Sequence, residues 1–354
     1  MKTVDDSRLA ILIVRLSAIG DIVFSTPLIH ALRQRYPNAH ISWLVQPESA
    51  SLLEKNGELD EVILWPRAEW SALWRQRRYL ALWRRIREFR SLLCSRRFDM
   101  ALDIQSLLKS GFFAWLSGAR QKIGLGSREG SQWLMNRVIA KGGDPRRIGS
   151  EYLHFAQQLG LPSEGFEMQI GLAEEDIRYA EDTLSARGLE QGFVAICPFT
   201  TRPQKHWFNR SWQALIRQMG SQWGKPVVIL GGPGDRTAVE ALSAEPGVVD
   251  LVGATTLRQA AAVIGRADLV IGVDTGLTHM GIAMRRPTLC LFGSTCPYLD
   301  TAHDNAKVIY HAMECSPCRR RPTCNGRFDC MASITPEEVM AEAEKLPKAR
   351  EAEA

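Results

Sequence analysis

The 354-residue sequence predicts an α/β protein with parallel sheets, organised as two domains. Short apolar runs of strand length alternate with helix-length stretches from residue 9 to about 105, and again from residue 193 to about 293. This alternation is typical of βαβ units, in which helices cover a parallel sheet. A hydrophobic content of 45% over this length is enough for two cores. Residues 161–172, which include Pro162 and Gly165, form the best linker candidate.

The first element is an apolar strand over residues 9–15, followed by LSAIGD (16–21) and a helical stretch from Ile22 to about Arg35. Asp21 therefore lies where a helix begins, and two interpretations of it remain open. As a helix N-cap it contributes about 1 kcal/mol. As a functional carboxylate it is held at the carboxyl end of a strand, where open α/β sheets bind ligands.

Residues 65–97 combine a strong positive charge with aromatic side chains. The arginines are Arg67, Arg75, Arg77, Arg78, Arg84, Arg85, Arg87, Arg90, Arg96 and Arg97, the acids are Glu69 and Glu88, and the aromatics include Trp65, Trp70, Trp74, Tyr79 and Trp83. This mixture favours an anionic surface such as a membrane. Nucleic acid is an alternative partner. A solvated amphipathic helix, with its aromatics packed on its own domain, also fits the pattern.

A second strand-to-loop junction occurs at residues 193–207. The apolar strand FVAICP (193–198) is followed by a loop that carries two hydroxyls, Thr200 and Thr201, and two cations, Arg202 and Lys205, before a helix around residues 211–222. Hydroxyls and a lysine after a strand suit a phosphate group. A solvated basic loop is the alternative.

The next strand, from residue 226, ends in GGPGD (231–235). It resembles a nucleotide-contacting turn in which Asp235 offers a carboxylate to a ribose. It is neither a Walker loop nor a GxGxxG turn.

The most informative segment is residues 267–279. The apolar run Leu269–Val273 predicts a buried parallel strand, and Asp274 and Thr275 can cap the helix that follows. Gly276 allows close approach of a ligand, and the helix N-terminus favours an anion such as a pyrophosphate. His279, one turn into the helix, can donate to a phosphate or sugar oxygen. A well-capped turn with a surface histidine is the alternative.

The eight cysteines form two groups. Cys94, Cys197, Cys290 and Cys296 lie in apolar or strand-like contexts and are predicted to be core thiols. Cys315, Cys318, Cys324 and Cys330 have a spacing that is compatible with zinc, although only the first pair has a common metal-knuckle form. The sequence leaves open whether this second group binds a structural metal.

No signal peptide or transmembrane segment is expected. The first apolar stretch is interrupted by Arg15 and Asp21 and contains no run of about 18 uncharged apolar residues. These features predict a cytoplasmic protein, and residues 348–354 are expected to be a frayed, charged tail.

Four segments, in this order and at these spacings, resemble glycosyltransferase family nine, the heptosyltransferases of lipopolysaccharide core assembly. They are RLSAIGDIV (15–23), DIQSLLKS (103–110), TTR with KHW (200–202 and 205–207), and VDTGLTH (273–279). The resemblance covers nearly the whole chain, and DTGLTH is its most specific motif. Within the family, residues 105–110 and 200–207 most resemble heptosyltransferase I, which adds the first heptose to the inner Kdo sugar of lipid A.

The resemblance implies a GT-B architecture, in which two Rossmann-like domains with parallel sheets face each other across a cleft. It implies an N-terminal acceptor-binding domain over residues 1–168. Residues 169–354 would form a C-terminal domain that binds the nucleotide sugar and ends in a helix.

The resemblance also implies roles for individual residues. The catalytic candidates are Asp21 and Lys205. The nucleotide-sugar-binding candidates are Thr200, Thr201, Lys205, Asp235, Thr255, Asp274, Thr275, Gly276, Leu277 and His279. The acceptor-binding candidates are Gln105, Lys109 and Arg120. Asp235 departs from the family pattern, since close relatives have a glutamate there.

The implied reaction is attack of a Kdo hydroxyl on the anomeric carbon of ADP-heptose, with inversion and departure of ADP. Asp21 is the candidate base, and Lys205, the two threonines and the N–H groups at Thr275 and Gly276 neutralise the leaving group. No Asp-x-Asp element occurs, so no metal or other cofactor is expected. The expected partners are the ADP-heptose donor, a Kdo-lipid A acceptor and an anionic membrane surface on the cytoplasmic face of the inner membrane, with no nucleic acid.

Two other functions remain open. The chain fits a later-acting heptosyltransferase, or a family member that uses another nucleotide sugar. Outside enzymes, the stretch at 65–97 fits a nucleic-acid or membrane-binding module, which would bind in a salt-sensitive way and need neither Asp21 nor Lys205.

Overall fold

The computed structural model describes residues 9–295, 298–318 and 321–347. The chain divides into two compact units. Unit one contains the residues up to Asp144 together with Gly149–Gly171, and unit two contains Pro145–Ile148 and the residues from Leu172 onward.

Unit one is built on a six-stranded parallel sheet. Its strands are β1 (Ala10–Val14), β2 (His40–Val45), β3 (Glu61–Leu64), β4 (Met100–Asp103), β5 (Gln121–Leu125) and β6 (Arg137–Ile139). Their order in the sheet is β3-β2-β1-β4-β5-β6, with register pairs such as Leu12 with Ser42 and with Ala101. Its helices are α1 (Ile19–Ser25), α2 (Pro27–Arg35), α3 (Pro47–Ala50), α4 (Arg67–Arg75), α5 (Tyr79–Ser95), α6 (Leu108–Leu116) and α7 (Ser150–Gln158).

Unit two repeats this plan. Its strands are β7 (Val194–Cys197), β8 (Val227–Ile229), β9 (Val248–Asp250), β10 (Leu269–Val273), β11 (Thr288–Phe292) and β12 (Ala306–Tyr310), in the order β12-β11-β10-β7-β8-β9, all parallel. Its helices are α8 (Glu174–Ser185), α9 (Asn209–Gln218), α10 (Arg236–Ser243), α11 (Leu257–Ile264), α12 (Gly276–Ala283), α13 (Asp329–Ala332) and α14 (Pro336–Glu344).

The predicted α/β class, with two Rossmann-like parallel sheets, is confirmed. Every residue of β1 and of β10 is buried, as expected for central parallel strands that are covered by helices on both faces. The strands predicted from residues 9, 193, 226 and 269 are all present. The apolar runs therefore identified the strands from which the sheets are built.

The helical stretch predicted from Ile22 to Arg35 is two helices instead of one. Pro27 is the first residue of α2, and because proline has no N–H the chain begins a new helix there. The first helix starts earlier than expected, so Asp21 occupies its first turn and is not the N-cap. The capping interpretation of Asp21 is wrong in that detail, although its carboxylate oxygen still accepts from the Ala18 N–H at 3.4 Å.

The predicted core thiols differ in burial. Cys197 and Cys290 are buried, and burial raises the pKa of both, that of Cys290 to about 12. Cys94 is only half-buried at the end of α5, with its Sγ 3.6 Å from the Leu116 carbonyl oxygen, so its assignment to the core is wrong. Cys296 and residues 348–354 lie outside the described residues.

None of the helices in the described ranges has both the length and the apolar content that a bilayer span requires.

Candidate functional site

In unit two, the residues singled out by sequence meet at one edge of the sheet. Thr200 and Lys205 follow β7, Asp235 follows β8, Thr255 follows β9 and Asp274 follows β10. Because all six strands are parallel, their carboxyl ends lie at the same edge, which is where open α/β sheets bind ligands. The tertiary structure therefore brings together segments that are 74 residues apart, as the hydrogen bond from the Thr200 hydroxyl to the Asp274 carbonyl oxygen (3.4 Å) shows.

Asp274 is the centre of this edge. The Lys205 Nζ and the Thr295 hydroxyl lie 2.6 and 2.7 Å from its Oδ2, and the His279 Nε2 lies 3.2 Å from its Oδ1. Burial opposes ionisation of this carboxyl, but His279 and Lys205 outweigh burial and hold the pKa of Asp274 well below its usual range. Asp274 is therefore a fixed anion that orients the ammonium group of Lys205.

His279 is buried, so the alternative of a surface histidine is wrong. Its Nδ1 lies 2.7 Å from the hydroxyl of Tyr298, and burial raises the pKa of Tyr298 well above its usual value. A neutral phenol that donates to Nδ1 leaves the imidazole proton on Nε2, from where it is donated to Asp274. Both ring nitrogens thus contact protein groups. This geometry favours a role for His279 in positioning Asp274.

The loop between β7 and α9 is anchored by His206 and Trp207. The His206 Nε2 lies 2.8 Å from the Thr200 carbonyl oxygen, and the indole N–H of buried Trp207 donates to the Ile334 carbonyl oxygen at 3.0 Å. Thr201, which precedes both anchors in the loop, is exposed. The loop therefore presents hydroxyls and Lys205 on a backbone that is fixed by the core.

The N-terminus of α12 lies beside Asp274, and its first backbone N–H groups have no partners within the helix. Thr275 is the N-cap residue and makes no capping bond with its side chain. The Thr278 hydroxyl donates to the Val273 carbonyl oxygen at 2.7 Å, which ties the first turn to β10, and Leu277 is half-buried. A helix N-terminus with free N–H groups attracts phosphate oxygens.

Asp235 and Thr255 lie at the outer part of the same edge. One oxygen of the Asp235 carboxylate accepts the Gly232 N–H at 2.8 Å, which shapes the glycine-rich turn after β8. Thr255 is half-buried and precedes Thr256, the N-cap of α11, whose hydroxyl accepts from the Gln259 N–H. Both residues are positioned by helix starts at the carboxyl ends of neighbouring strands.

In unit one, Asp21 is paired with Arg15 at the carboxyl end of β1. The Arg15 Nη2 lies 2.5 Å from the Asp21 Oδ2, and the Arg15 Nη1 donates to the Ile104 carbonyl oxygen at 2.9 Å. Burial alone would lower the pKa of Arg15, but electrostatic interactions with Tyr152 and Asp21 outweigh burial and raise it above its usual value. The buried guanidinium therefore stays charged and holds a carboxylate whose side chain is 43% exposed.

Gln105 and Lys109 lie near this pair. Gln105 is buried and its Oε1 accepts the Leu16 N–H at 2.9 Å, so it braces the loop after β1. Lys109 is in the first turn of α6 and is exposed. Its pKa is lowered by partial burial and by the positive charges of Arg67 and Arg15. Three cations therefore lie close to one another at the carboxyl edge of this sheet.

Arg120 is not part of that cluster. It precedes β5, at the amino edge of the parallel sheet, where its Nη1 lies 3.2 Å from the Asp99 Oδ1 and its side chain is 85% exposed. The chain runs from Lys109 back along α6 before it reaches Arg120, and this return places the two cations at opposite edges. Its grouping with Gln105 and Lys109 is corrected accordingly.

Sequence reasoning missed four residues that the structure places at these two edges. They are Arg15 and Arg67 in unit one, and Thr295 and Tyr298 in unit two. Arg15 carried a signal, since a lone arginine ends an otherwise apolar strand. Thr295 and Tyr298 follow β11, a strand whose neighbour in the sheet is β10, and only the strand order brings them to Asp274 and His279.

No set of three or more His, Cys, Asp or Glu side chains is arranged to hold a metal ion within residues 9–295, 298–318 and 321–347. In the second cysteine group, Cys315, Cys318 and Cys324 are half-buried and Cys330 is buried.

The sequence was compared with protein families and with known proteins. The sequence model of glycosyltransferase family 9 (heptosyltransferase) matches residues 86–328. Lipopolysaccharide heptosyltransferase 1 of Salmonella typhimurium is 24% identical over 306 residues, which cover 82% of this chain and 90% of that protein. Lipopolysaccharide heptosyltransferase 2 of the same organism is 26% identical over 357 residues, which cover 95% of this chain and 98% of that protein.

The solved structure of E. coli heptosyltransferase WaaC with ADP-2-deoxy-2-fluoro heptose has the same fold. It superposes with a TM-score of 0.72 at 23% identity, covering 95% of this chain and 99% of that chain. This likeness shows that the fold belongs to the GT-B class.

Proposed function

Because the chain belongs to glycosyltransferase family 9, the heptosyltransferase family, we propose that it transfers L-glycero-D-manno-heptose from ADP-heptose to the Kdo region of lipid A, with inversion. The observation that carries this proposal is the Lys205–Asp274 pair at 2.6 Å, beside the N-terminus of α12. Within an enzyme of this family, such an arrangement is suited to a pyrophosphate leaving group. Unit two would bind the donor and unit one the acceptor.

The donor's pyrophosphate would lie against three kinds of positive or donating group. Lys205 supplies a full charge, Thr200 and Thr201 supply hydroxyls, and Thr275 and Gly276 supply backbone N–H groups at the helix N-terminus. Asp274 fixes the ammonium before the substrate arrives, so little reorganisation is needed when charge develops on ADP. Such preorganised stabilisation supports catalysis without a metal ion.

The nucleoside would lie over the outer strands of the same sheet. Asp235 offers a carboxylate to the ribose hydroxyls, and Thr255 offers its backbone to the adenine. Leu277 would add an apolar contact to the donor, and His279 would hold Asp274 in position through their hydrogen bond. These assignments come from the family resemblance, and the positions of the residues at neighbouring strand ends support them.

Asp21 would act as the general base on the acceptor. Its carboxylate accepts the proton of the attacking Kdo hydroxyl while the hydroxyl oxygen bonds to the anomeric carbon. The bond between that carbon and the pyrophosphate oxygen breaks on the opposite face, and ADP leaves with the electron pair. Arg15 holds the carboxylate in place through the contact at 2.5 Å. Lys109, with Arg67 nearby, supplies positive charge for an acidic acceptor such as Kdo.

The proposal extends to the protein's place in the cell. A lipid A acceptor lies in a membrane, so we propose that the protein works peripherally on an anionic membrane, at the cytoplasmic face of the inner membrane.

The relatives named heptosyltransferase 1 and 2 are similarly distant, at 24% and 26% identity. Transfer of the first heptose is proposed from the resemblance at residues 105–110 and 200–207.

The test is ADP release from ADP-heptose in the presence of defined acceptors. Purified protein is incubated with Kdo-lipid A or with the same lipid already carrying one heptose, and ADP-glucose and UDP-glucose serve as control donors. We expect release only with ADP-heptose, and faster release with Kdo-lipid A. Preference for the heptosylated lipid would assign a later step, and preference for another sugar nucleotide would refute the donor assignment.

A further inference from the structure

Helices α4 and α5 form a hairpin whose tip, residues 74–87, projects apolar side chains into solvent. We call residues 74–87 the hairpin tip. Its exposed apolar side chains are Trp74 (63% exposed), Tyr79 (53%), Leu80 (84%) and Trp83 (58%). Trp74 and Tyr79 contact each other edge to face at 5.4 Å between ring centroids. Four large apolar side chains in one short segment form a patch, which is uncommon on a protein surface that meets only water.

The other face of the same hairpin is packed in the core. Trp70 and Phe89 are buried, with ring centroids 5.6 Å apart, and both lie within 6 Å of the Phe113 ring. Leu93 is fully buried further along α5. Packing on the protein's own core therefore explains these aromatic residues, and it leaves the exposed residues of the hairpin tip unexplained.

The hairpin tip is also strongly positive. It contains six arginines and no acid, and the nearest acids, Glu69 and Glu88, lie just outside it in the sequence. Arg85 pairs with both acids, at 2.7 Å to Glu69 and 2.8 Å to Glu88. In the described part of the chain, Arg77, Arg78 and Arg84 have no carboxylate partner, so their charge faces solvent. The guanidinium of Arg87 lies 4.6 Å from the Trp83 ring centroid, which combines a cation and an aromatic at one point.

The hairpin tip lies on the acceptor side of unit one. The 17 residues of α5 span about 25 Å, whereas the 4 residues of β4 span about 13 Å. Because α5 ends close to the amino end of β4, its first turns extend past the carboxyl edge of the sheet. That edge carries Asp21 and Lys109, and Arg67 at the start of α4 contributes to the electrostatic environment of Lys109.

We propose that the hairpin tip docks unit one onto an anionic lipid bilayer. This inference deepens the proposed function, since it rests on a lipid-borne acceptor. Arginines attract anionic headgroups, and tryptophan and tyrosine favour the boundary between headgroups and acyl chains. Leu80, the most exposed of the four apolar residues, favours a membrane over nucleic acid, because an aliphatic side chain neither stacks on a base nor pairs with a phosphate.

The experiment measures binding of the full-length protein to sedimenting vesicles, without substrates. Vesicles of phosphatidylcholine with 30% phosphatidylglycerol are compared with vesicles of phosphatidylcholine alone. The charge variant is Arg78→Gln with Arg84→Gln, and its matched control is Arg97→Gln with Arg137→Gln, two exposed arginines near the amino edge of the same sheet. The apolar variant is Leu80→Ser with Trp83→Ser.

We expect the wild-type protein to prefer the anionic vesicles. Each arginine near the surface contributes about fivefold in affinity, so the charge variant should bind about 25-fold more weakly and the matched control within twofold of wild type. High salt should leave a part of the wild-type binding in place, because apolar contacts are not screened by ions. The apolar variant should lack this salt-resistant part. Thermal unfolding of each variant confirms that the fold is intact.

Three results would overturn the inference. The first is equal binding of the charge variant and its control. The second is tighter binding to single-stranded RNA than to anionic vesicles, lost in the charge variant, which would assign the hairpin tip to nucleic acid. The third is a concentration-dependent dimer that the apolar variant abolishes. Vesicle binding uses no ADP-heptose, so a failure here with intact transfer leaves the proposed function standing.

Discussion

Replacing Lys205 by alanine removes the cation that lies 2.6 Å from the Asp274 carboxylate. Losing one preorganised charge at a leaving group costs about 3 kcal/mol of transition-state stabilisation, which is about a hundredfold in rate. The structure indicates that this is a lower bound. Asp274 keeps Thr295 and His279 as partners and stays ionised at neutral pH, so the variant would present an uncompensated anion to the pyrophosphate.

The assay is the kcat/KM for acceptor-dependent ADP release, together with the melting temperature. Lys225→Ala is the matched control, because Lys225 forms a similar ion pair with Asp268, at 2.8 Å, at the opposite edge of the same sheet. We expect a loss of a hundredfold or more for Lys205→Ala and less than twofold for Lys225→Ala, with similar melting temperatures. The reasoning is refuted if Lys205→Ala retains activity within fivefold of wild type, or if both variants lose activity equally.

Three further predictions follow from the two sites. Asp21→Ala should reduce transfer by at least a hundredfold while calorimetry shows ADP-heptose affinity within twofold of wild type, and transfer within tenfold of wild type would end its assignment as the base. EDTA should leave turnover unchanged, whereas abolition by EDTA and recovery with Mg²⁺ would show that a metal handles the leaving group. The pKa of Asp274 is lower in the folded than in the unfolded state, so its carboxylate stabilises the fold above about pH 4 and less as the pH falls. The difference in melting temperature between wild type and Asp274→Asn should therefore be largest near neutral pH and shrink below pH 4, and a constant difference across that range would contradict the ionised network.

Much of the fold and of the donor site could be predicted from the sequence. A central parallel strand is covered on both faces, so it appears as an unbroken apolar run, and Leu269–Val273 matched the observed strand residue for residue. The carboxyl ends of parallel strands share one edge. The family resemblance grouped Thr200, Asp235 and Asp274 as donor-site residues, and this shared edge is the physical reason that they lie together.

Which distant residues contact that donor site, and which sheet edge a given residue reaches, were decided by tertiary structure alone. Sequence spacing gives direction along a single element, whereas the edge that a distant residue reaches depends on the strand order and on each crossover helix. For this reason the grouping of Arg120 with Gln105 and Lys109 did not anticipate that Arg120 lies at the opposite edge of the sheet. Tyr298 was not found, because it reaches His279 only through the placement of β11 beside β10. The same limit applies to the stretch at 65–97, where composition could not separate buried Trp70 from exposed Trp83. The burial of each side chain depends on which face of its helix packs against the core, and that face is determined only when the whole unit folds.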